Sequence, residues 1–307
     1  MMYRFSSFVL ALLLLVASGQ VTATARFGVT TGNWGTAASW APTGCSTATD
    51  NTKPANADAV TICSGKSITL DEDSAATVGK VTVETTATLD LGTKKLSAAE
   101  LDNSGTVTSG AASHVIAKLT NTAGTMTLTN ATFTAISDTV TYTAGTLLLP
   151  TTLTTITGLF TSKVNFTMPS TVTTLTAGVT VTGGVLTLSS ANVVGDDVTL
   201  DTGGTIAGTL KFTSGDKAIT ATDAAKTIPT LDVSGMAAND TITINGNSVT
   251  FSSVYGGALK CLATGVTTDY TPGTAVAATG VCTVTIATSV PVFSTKELPK
   301  VFAEEVK

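Results

Sequence analysis

The chain has 307 residues, a formal net charge of −5 and a charged fraction of only 12%. Lysine and arginine form no cluster and aromatic residues make up 5% of the chain, which excludes the usual signature of a nucleic-acid-binding surface. Threonine, valine and glycine are abundant while the charged helix formers glutamate, lysine and arginine are scarce, and this composition favours strands. We therefore expect an all-β protein without a nucleic-acid partner.

Residues 1–25 have the features of a secretory signal peptide. Arg4 supplies the positive start, residues 8–16 form a short apolar run, and Ala25 offers a small residue for cleavage before Arg26. The apolar run is too short to span a membrane. We expect a secreted protein, extracellular or at the cell surface, with no membrane span in the mature chain.

Residues 26–60 are predicted to form an N-terminal cap. Trp34 and Trp40 are the only tryptophans, and both lie among small polar residues just before a repetitive region begins. The open end of a repeat protein exposes core and unpaired strand edges, so a capping structure is expected there. We interpret the two tryptophans as side chains that cover the core.

Residues 61–235 carry a repeat of about twenty residues, marked by threonines on either side of one apolar residue. Thr106-Val107-Thr108 and Thr180-Val181-Thr182 are two examples. A rung of this length accommodates three short strands and their corners. The pattern predicts a right-handed parallel β-helix, a solenoid in which neighbouring rungs lie about 4.8 Å apart.

Each threonine pair is predicted to face solvent while its middle residue faces the core, because strand side chains alternate. The inward row comprises Ile62, Val83, Val107, Met126, Tyr142, Val181, Leu200 and Ile242. The candidate binding face comprises Thr106, Thr108, Thr125, Thr127, Thr141, Thr143, Thr180, Thr182, Thr220, Thr222, Thr241 and Thr243. Charges at Glu84, Lys163 and Asp201 interrupt this face.

The four cysteines fall into two local pairs. An even number of cysteines in an exported chain suggests disulfides, and proximity favours Cys45 with Cys63 and Cys261 with Cys282 among the three possible pairings. No pair has the two-to-four-residue spacing typical of a zinc site. We therefore predict no metal and no cofactor.

Residues 236–288 are predicted to form a disulfide-bonded C-terminal β cap. The segment 241–251 has two alternating stretches around Asn245-Gly246, which is a hairpin pattern. Residues 289–307 are charged and contain two prolines, so we expect a tail.

The segment from Trp40 to Leu96 resembles the opening of secreted right-handed β-helix surface proteins. The residues that carry the resemblance are Asn33, Trp34, Trp40, Pro42, Asp58 to Ile62, Gly65, Ile68 to Asp71, Val81 to Val83 and Thr88 to Gly92. Autotransporter-type adhesin passengers and G8-type extracellular modules are examples of such proteins. The resemblance implies a secreted surface role and carries over no catalytic residue.

Parallel β-helices also include polysaccharide lyases, which require clustered acids with a base or a calcium site. The acidic candidates are Asp71, Glu72, Asp73, Asp196, Asp197, Asp201, Asp216 and Asp223, and the lysines near the later ones are Lys211, Lys217 and Lys226. We interpret these acids as corner and turn residues, and the single histidine, His114, as a loop residue. No catalytic residue is therefore predicted.

The main functional prediction is a non-enzymatic structural or adhesive protein of the cell surface, extracellular matrix or an extracellular filament. Its partners would be further copies of the chain or extracellular glycans and surfaces. A regular grid of threonine methyls and hydroxyls can also order water, so an ice-binding (antifreeze) protein is the alternative. A polysaccharide lyase-like β-helix is the further alternative.

Overall fold

The computed structural model describes residues 23–74, 77–133, 135–263 and 265–285. Within these ranges the regular structure is strand, apart from one 3-10 turn at Ala37–Ser39, so the predicted all-β fold is confirmed. Residues 1–22 of the predicted signal peptide and the whole predicted tail, 289–307, lie outside the described residues.

A long parallel sheet, here called the first wall, contributes one strand to every rung. Its strands are Ala25–Gly28, Ala59–Ile62, Val78–Val83, Ser97–Asn103, Val115–Asn121, Val140–Tyr142, Phe160–Ser162, Val179–Val181, Val198–Leu200, Lys217–Ala221 and Thr241–Gly246. Each pairs with the next in parallel. Ala25 pairs with Ala59, and from Ala59–Ile62 onward each partner residue lies about twenty residues further along the chain. The predicted parallel β-helix is thus confirmed.

Two further walls complete the rungs. The second wall consists of Gly32–Asn33, Ser67–Thr69, Thr88–Asp90, Thr106–Thr108, Thr125–Thr127 and Thr146–Leu148, and then, as a separate ladder, Phe166–Thr167, Val185–Leu188 and the start of Thr205–Thr213. The third wall consists of Ala135–Ile136, Thr155–Ile156, Thr174–Leu175, Val193–Val194, Thr205–Thr213, Lys226–Gly235 and Val249–Tyr255.

The core is a set of side-chain rows that run along the rod, because register places equivalent residues of successive rungs above one another. One such row contains Val60, Val81, Leu101, Leu119, Val140, Phe160, Val179, Val198, Ile219 and Ile244, all of them buried. The predicted inward residues, from Ile62 to Ile242, are buried as well. A rung cannot bury these residues alone, so stacking supplies the hydrophobic stabilisation.

The second wall is interrupted between Thr146–Leu148 and Phe166–Thr167. No ladder joins these two strands in the described structure, although the first wall is continuous at the same level. Tyr142 and Phe160 both pack on Phe166 there, with ring centroids 5.4 and 5.3 Å away. These three aromatic rings fill the core at this level, where neighbouring rungs have mainly aliphatic side chains. A groove of about 370 Å³ opens beside the half-exposed Leu148.

Polar groups are buried where the sequence pattern predicts apolar contacts. Asn103 and Asn121 occupy inward positions of the first wall and are fully buried. The Asn103 amide donates to Asn121 Oδ1 at 2.8 Å, and the Asn121 amide donates to the Ala144 carbonyl oxygen at 2.9 Å. These side chains therefore bind the backbone of the following rung, which is a partner that local sequence does not reveal.

The N-terminal end is closed by the two tryptophans. Trp34 and Trp40 are buried and meet edge to face at 5.2 Å, and Trp40 Nε1 donates to the Trp34 carbonyl oxygen at 2.9 Å. The short strand Trp40–Ala41 pairs antiparallel with Ala25–Gly28 and so covers the first strand of the wall. The predicted core-covering role of the tryptophans is confirmed.

The C-terminal end is closed by antiparallel strands. Val281–Thr285 pairs with the last strand of the first wall and with Ala258–Ala263, which in turn pairs with Val266–Asp269, while Ala275–Val276 pairs with Val249–Tyr255. The hairpin predicted for 241–251 is wrong. Thr241–Gly246 and Val249–Tyr255 continue two different walls, because the turn at Gly246, with φ of 75°, turns a rung corner.

Candidate functional site

The outer face of the first wall carries a column of threonines at one register position. The column runs through Thr61, Thr82, Asp102, Thr120, Thr141, Thr161, Thr180, Thr199 and Thr220. From Thr120 to Thr220 the threonines follow one another without interruption, and all are partly exposed. Their hydroxyls and methyls therefore repeat at the rung spacing of about 4.8 Å.

A second column lies two residues further along each strand, about 6.7 Å away. It contains Glu84, Ser104, Thr122, Thr143, Lys163, Thr182, Asp201 and Thr222. Backbone bonds such as Thr143 N to Asn121 O and Thr182 N to Ser162 O, both 2.8 Å, keep this column in register beyond the strand ends. All three predicted charged interruptions lie in the second column, so they leave the first column intact.

The twelve predicted face residues do not share one surface. Thr141, Thr143, Thr180, Thr182, Thr220 and Thr222 lie in the two columns of the first wall. Thr106, Thr108, Thr125 and Thr127 instead belong to the second wall. Thr241 and Thr243 lie on the last first-wall strand but are offset along it, because Thr243 pairs with Ala218 and Asn245 pairs with Thr220.

The prediction of a single face is therefore wrong for the four second-wall threonines. Thr241 and Thr243 share the first wall but lie outside the two columns, and the predicted set omitted Thr120, Thr161 and Thr199. A threonine-flanked apolar residue suits any half-exposed strand, so the same motif recurs on more than one wall. The register that separates the walls depends on corner lengths. It becomes visible only when the strands are paired.

The N-terminal part of the first wall is charged rather than threonine-rich. Lys80 Nζ lies 2.7 Å from Asp102 Oδ2 and 3.2 Å from Glu100 Oε1, and Lys118 Nζ lies 3.5 Å from Glu100 Oε2. The hydrogen bond to Asp102 raises the pKa of Lys80 above its ordinary value. These pairs are solvent-accessible and contribute little stability, but they divide the wall into a charged lower part and a hydroxyl-rich upper part.

The acids considered for lyase chemistry separate into two groups at opposite ends of the first-wall strands. On one side, Asp197 Oδ1 accepts a hydrogen bond from Ala218 N at 2.7 Å and Asp216 Oδ1 from Thr241 N at 2.8 Å. That Thr241 N–H lowers the pKa of Asp216. Each of these carboxylates thus secures a backbone group of the following rung.

The other group lies beyond the strand ends. Asp201 accepts a hydrogen bond from the Thr222 hydroxyl, which lowers the pKa of Asp201. Asp223 Oδ2 accepts from Gly203 N at 2.6 Å, and its Oδ1 lies 2.6 Å from Lys226 Nζ, a contact that lowers the pKa of Asp223. Asp197 and Asp201 flank the same three-residue strand and are separated by about 13 Å.

The acids near the N-terminal cap are also engaged individually. Asp71 Oδ1 accepts from Gly35 N at 2.8 Å, Glu72 Oε1 lies 2.5 Å from Lys53 Nζ, and Asp73 Oδ1 accepts from Lys95 N at 2.8 Å. These carboxylates therefore bind three separate partners and do not converge on one ion.

Both predicted disulfides, Cys45–Cys63 and Cys261–Cys282, are formed. Across the described residues, the metal-ligand atoms that converge within 4.8 Å are those of Cys45, Cys63 and Glu84. Both sulfurs of this group are bonded to each other, so neither offers the thiolate that a zinc site requires.

Comparison with family models, with curated proteins and with solved structures found no match. The parallel β-helix implied by the resemblance is therefore supported by the fold alone. The portion of the chain covered by the structure contains no helix with the length and apolarity needed to cross a bilayer.

Proposed function

We propose that the protein is a secreted, non-enzymatic β-solenoid with a structural or adhesive role at the cell surface, in the extracellular matrix or in an extracellular filament. The upper part of the first wall carries this proposal. Its first column presents hydroxyls and methyls at a constant spacing over six rungs, from Thr120 to Thr220, and the second column adds a threonine on four of those rungs. A repetitive, weakly charged surface suits contact with an extended surface better than recognition of one small molecule.

Export is supported by the predicted signal peptide and by the two disulfides, which persist in oxidising compartments. The non-enzymatic role is supported by the carboxylates described above, which are committed to structural hydrogen bonds. Fractionation of cells that produce the tagged full chain, with gels run with and without reductant, tests localisation. Recovery of the chain in the cytosol with four reduced cysteines would overturn the proposal.

A paired set of variants tests whether the first wall is the contact surface. Thr180→Lys with Thr199→Lys places two charges on neighbouring rungs of the first wall, and Thr106→Lys with Thr125→Lys does the same on the second wall. Adsorption of the labelled, purified chain to cells and extracellular material should fall at least about tenfold for the first-wall variant and stay unchanged for the control. Equal loss in both variants would contradict a role for the first wall.

Self-association is expected to be lateral. Antiparallel strands cover both ends of the rod, whereas the threonines on the outer face of the first wall are partly exposed. Light scattering of the full chain over a wide concentration range measures association. Higher-order species that persist in the Thr180→Lys, Thr199→Lys variant would show that another surface mediates it.

Ice binding is the second candidate function, and the uninterrupted column from Thr120 to Thr220 favours it. The columns repeat at about 4.8 Å across rungs and about 6.7 Å along strands, which gives a two-dimensional lattice of methyls and hydroxyls. Besides the rung of Thr120 and Thr122, three rungs have a threonine in both columns, namely those at 141–143, 180–182 and 220–222. The intervening rungs carry Lys163 or Asp201 in the second column.

Thermal hysteresis and ice-crystal shaping by the purified full chain test this candidate. The Thr180→Lys, Thr199→Lys variant should lose the activity, because its charged side chains break the lattice, and the Thr106→Lys, Thr125→Lys control should keep it. If the wild-type chain neither shapes ice nor depresses the freezing point beyond its colligative effect, ice binding is rejected and the structural or adhesive role remains.

A further inference from the structure

The outer face of the third wall carries a groove near the C-terminal end of the rod. Three neighbouring strands form it, Thr205–Thr213, Lys226–Gly235 and Val249–Tyr255. Register aligns Thr209, Thr230 and Ser253 in one row and Lys211, Asp232 and Tyr255 in the next. The groove has a volume of about 510 Å³, within the range of about 300–1,000 Å³ that is typical of small-molecule sites.

An exposed aromatic ring forms one side of the groove. Tyr255 is 66% exposed, although tyrosine rings are ordinarily packed against neighbours. Its strand is the last of the third wall at this level among the residues that the structure describes, and the ring stays exposed there. A tyrosine ring in this position offers a flat apolar face and a polar tip to a ligand that has both characters.

The polar side of the groove is preorganised. Asp232 lies at an outward register position yet is only 3% exposed. Its Oδ1 accepts a hydrogen bond from Ser234 N at 2.8 Å, and its Oδ2 lies 3.5 Å from Lys211 Nζ. A carboxylate oxygen has two lone-pair sites, so Asp232 retains acceptor capacity beyond these contacts.

Hydroxyl groups complete the polar side. Ser253 Oγ lies 3.0 Å from Thr230 Oγ1 and donates to the Pro229 carbonyl oxygen at 3.1 Å, which holds both side chains in the row next to that of Asp232. The paired charges of Asp232 and Lys211 cancel, so the groove favours a neutral ligand over an anion. Within it, apolar contact comes mainly from the Tyr255 ring, because the neighbouring Val254 packs against the core, and one ring is too little to bury an apolar peptide side chain and its backbone.

We propose that this groove binds a neutral pyranose unit of a saccharide chain. The C–H face of the sugar ring packs on Tyr255, while its hydroxyls bind the Asp232 carboxylate and the Thr230 and Ser253 hydroxyls. The groove crosses several rungs and is open at the surface, so neighbouring units of the chain extend along the wall. The inference rests on the adhesive form of the proposed function and names a ligand class and a site for it.

Titration of the full chain with neutral oligosaccharides tests the site. The panel consists of β-1,4-linked glucose, β-1,4-linked N-acetylglucosamine, mannose and galactose oligomers, with binding measured by saturation-transfer NMR and calorimetry. Tyr255→Ala should raise the Kd of the best oligomer by about tenfold or more. Tyr255→Phe should keep the Kd within about threefold of the wild-type value, because the ring and not the hydroxyl makes the stacking contact. Val266→Ala, another exposed apolar side chain near the same end, serves as the control and should bind like the wild type.

Asp232→Asn supplies an independent readout. It retains the shape and one acceptor oxygen, and its melting temperature shows whether the fold is preserved. With the fold intact, it should weaken binding by about tenfold. The proposal is overturned if no oligomer binds at millimolar concentration, or if binding survives Tyr255→Ala. In either case adsorption through the first wall, tested by the lysine variants above, remains a separate measurement, so failure of the groove and failure of the adhesive role are distinguishable.

Discussion

Acidification from pH 7 to pH 5 tests the environment of His114, the only histidine of the chain. The side chain is 2% exposed and lies in the loop before Val115–Asn121. Its Nδ1 accepts a hydrogen bond from Leu96 N at 3.1 Å, so the ring proton resides on Nε2, which lies 2.8 Å from Ser109 Oγ. Protonation of Nδ1 would abolish the bond from Leu96 inside the protein.

Burial lowers the pKa of His114 from 6.5 to about 4. The unfolded chain takes up the proton near pH 6.5 and the folded chain near pH 4, so the stabilisation by neutral His114 is complete above pH 6.5 and is lost as the pH falls toward 4. The difference in pKa corresponds to about 3 kcal/mol in total, of which about 2 kcal/mol is lost between pH 7 and pH 5. Five aspartates also have a shifted pKa, and in each the shift is downward from 3.8. They therefore titrate below the pH range of this experiment: Asp50, Asp58, Asp201, Asp216 and Asp223.

Urea unfolding of the full chain with its disulfides intact, followed by circular dichroism at pH 7, 6 and 5, measures this loss. His114→Gln removes the titrating group, so its free energy of unfolding should be lower at pH 7 but constant over the same range. A wild-type value that changes by less than about 0.5 kcal/mol, or a variant with the wild-type slope, would refute the assignment of the effect to His114.

Three further predictions concern stability. Asn121→Ala should lower the free energy of unfolding by about 2–3 kcal/mol, because it removes hydrogen bonds to Asn103 and to the following rung, whereas Asn130→Ala at an exposed position should change it by less than about 0.5 kcal/mol. Replacing both cysteines of the Cys261–Cys282 pair by serine should cost about 3 kcal/mol, because the chain closed by this disulfide spans 21 residues. Gly145→Ala should destabilise by at least about 2 kcal/mol, because φ is 80° and the added Cβ would lie 2.0 Å from a backbone oxygen of the rung below.

Denaturant midpoints and melting temperatures of the purified variants check all three. An Asn121→Ala variant with the same free energy of unfolding as the wild type would show that water replaces the amide at the buried corner. Equal midpoints for the oxidised wild type and the double serine variant would show that the C-terminal strands hold without their crosslink. A Gly145→Ala variant as stable as the wild type would mean that the rung below moves aside at little cost.

The sequence predicts the rung length, the strand content and the inward residues, because alternation and a constant period are local properties of the chain. Val83, Val181 and Leu200 are buried as expected for that reason. Assignment to walls is not local. Thr125 and Thr180 have the same immediate pattern, yet they lie on different walls because the corners between them determine which strand pairs with which.

The buried polar residues were missed for a related reason. Asn121 stands at a position where alternation predicts an apolar side chain, and the backbone of the following rung satisfies its amide. Tyr255 and Asp232 are likewise 23 residues apart in the chain, and they become neighbours only through the pairing of Lys226–Gly235 with Val249–Tyr255. The repeat length can be recognised in the sequence itself, whereas contacts between residues of different rungs become visible only in the stacked structure.

The interruption of the second wall at Phe166 makes the rod unequally stiff. Bending that separates Thr146–Leu148 from Phe166–Thr167 stretches side-chain contacts only, whereas bending that opens the first wall at the same level must break the hydrogen bonds between Val140–Tyr142 and Phe160–Ser162. The solenoid therefore has a preferred plane of flexure in its middle. The threonine columns of the first wall can therefore curve without loss of their own register.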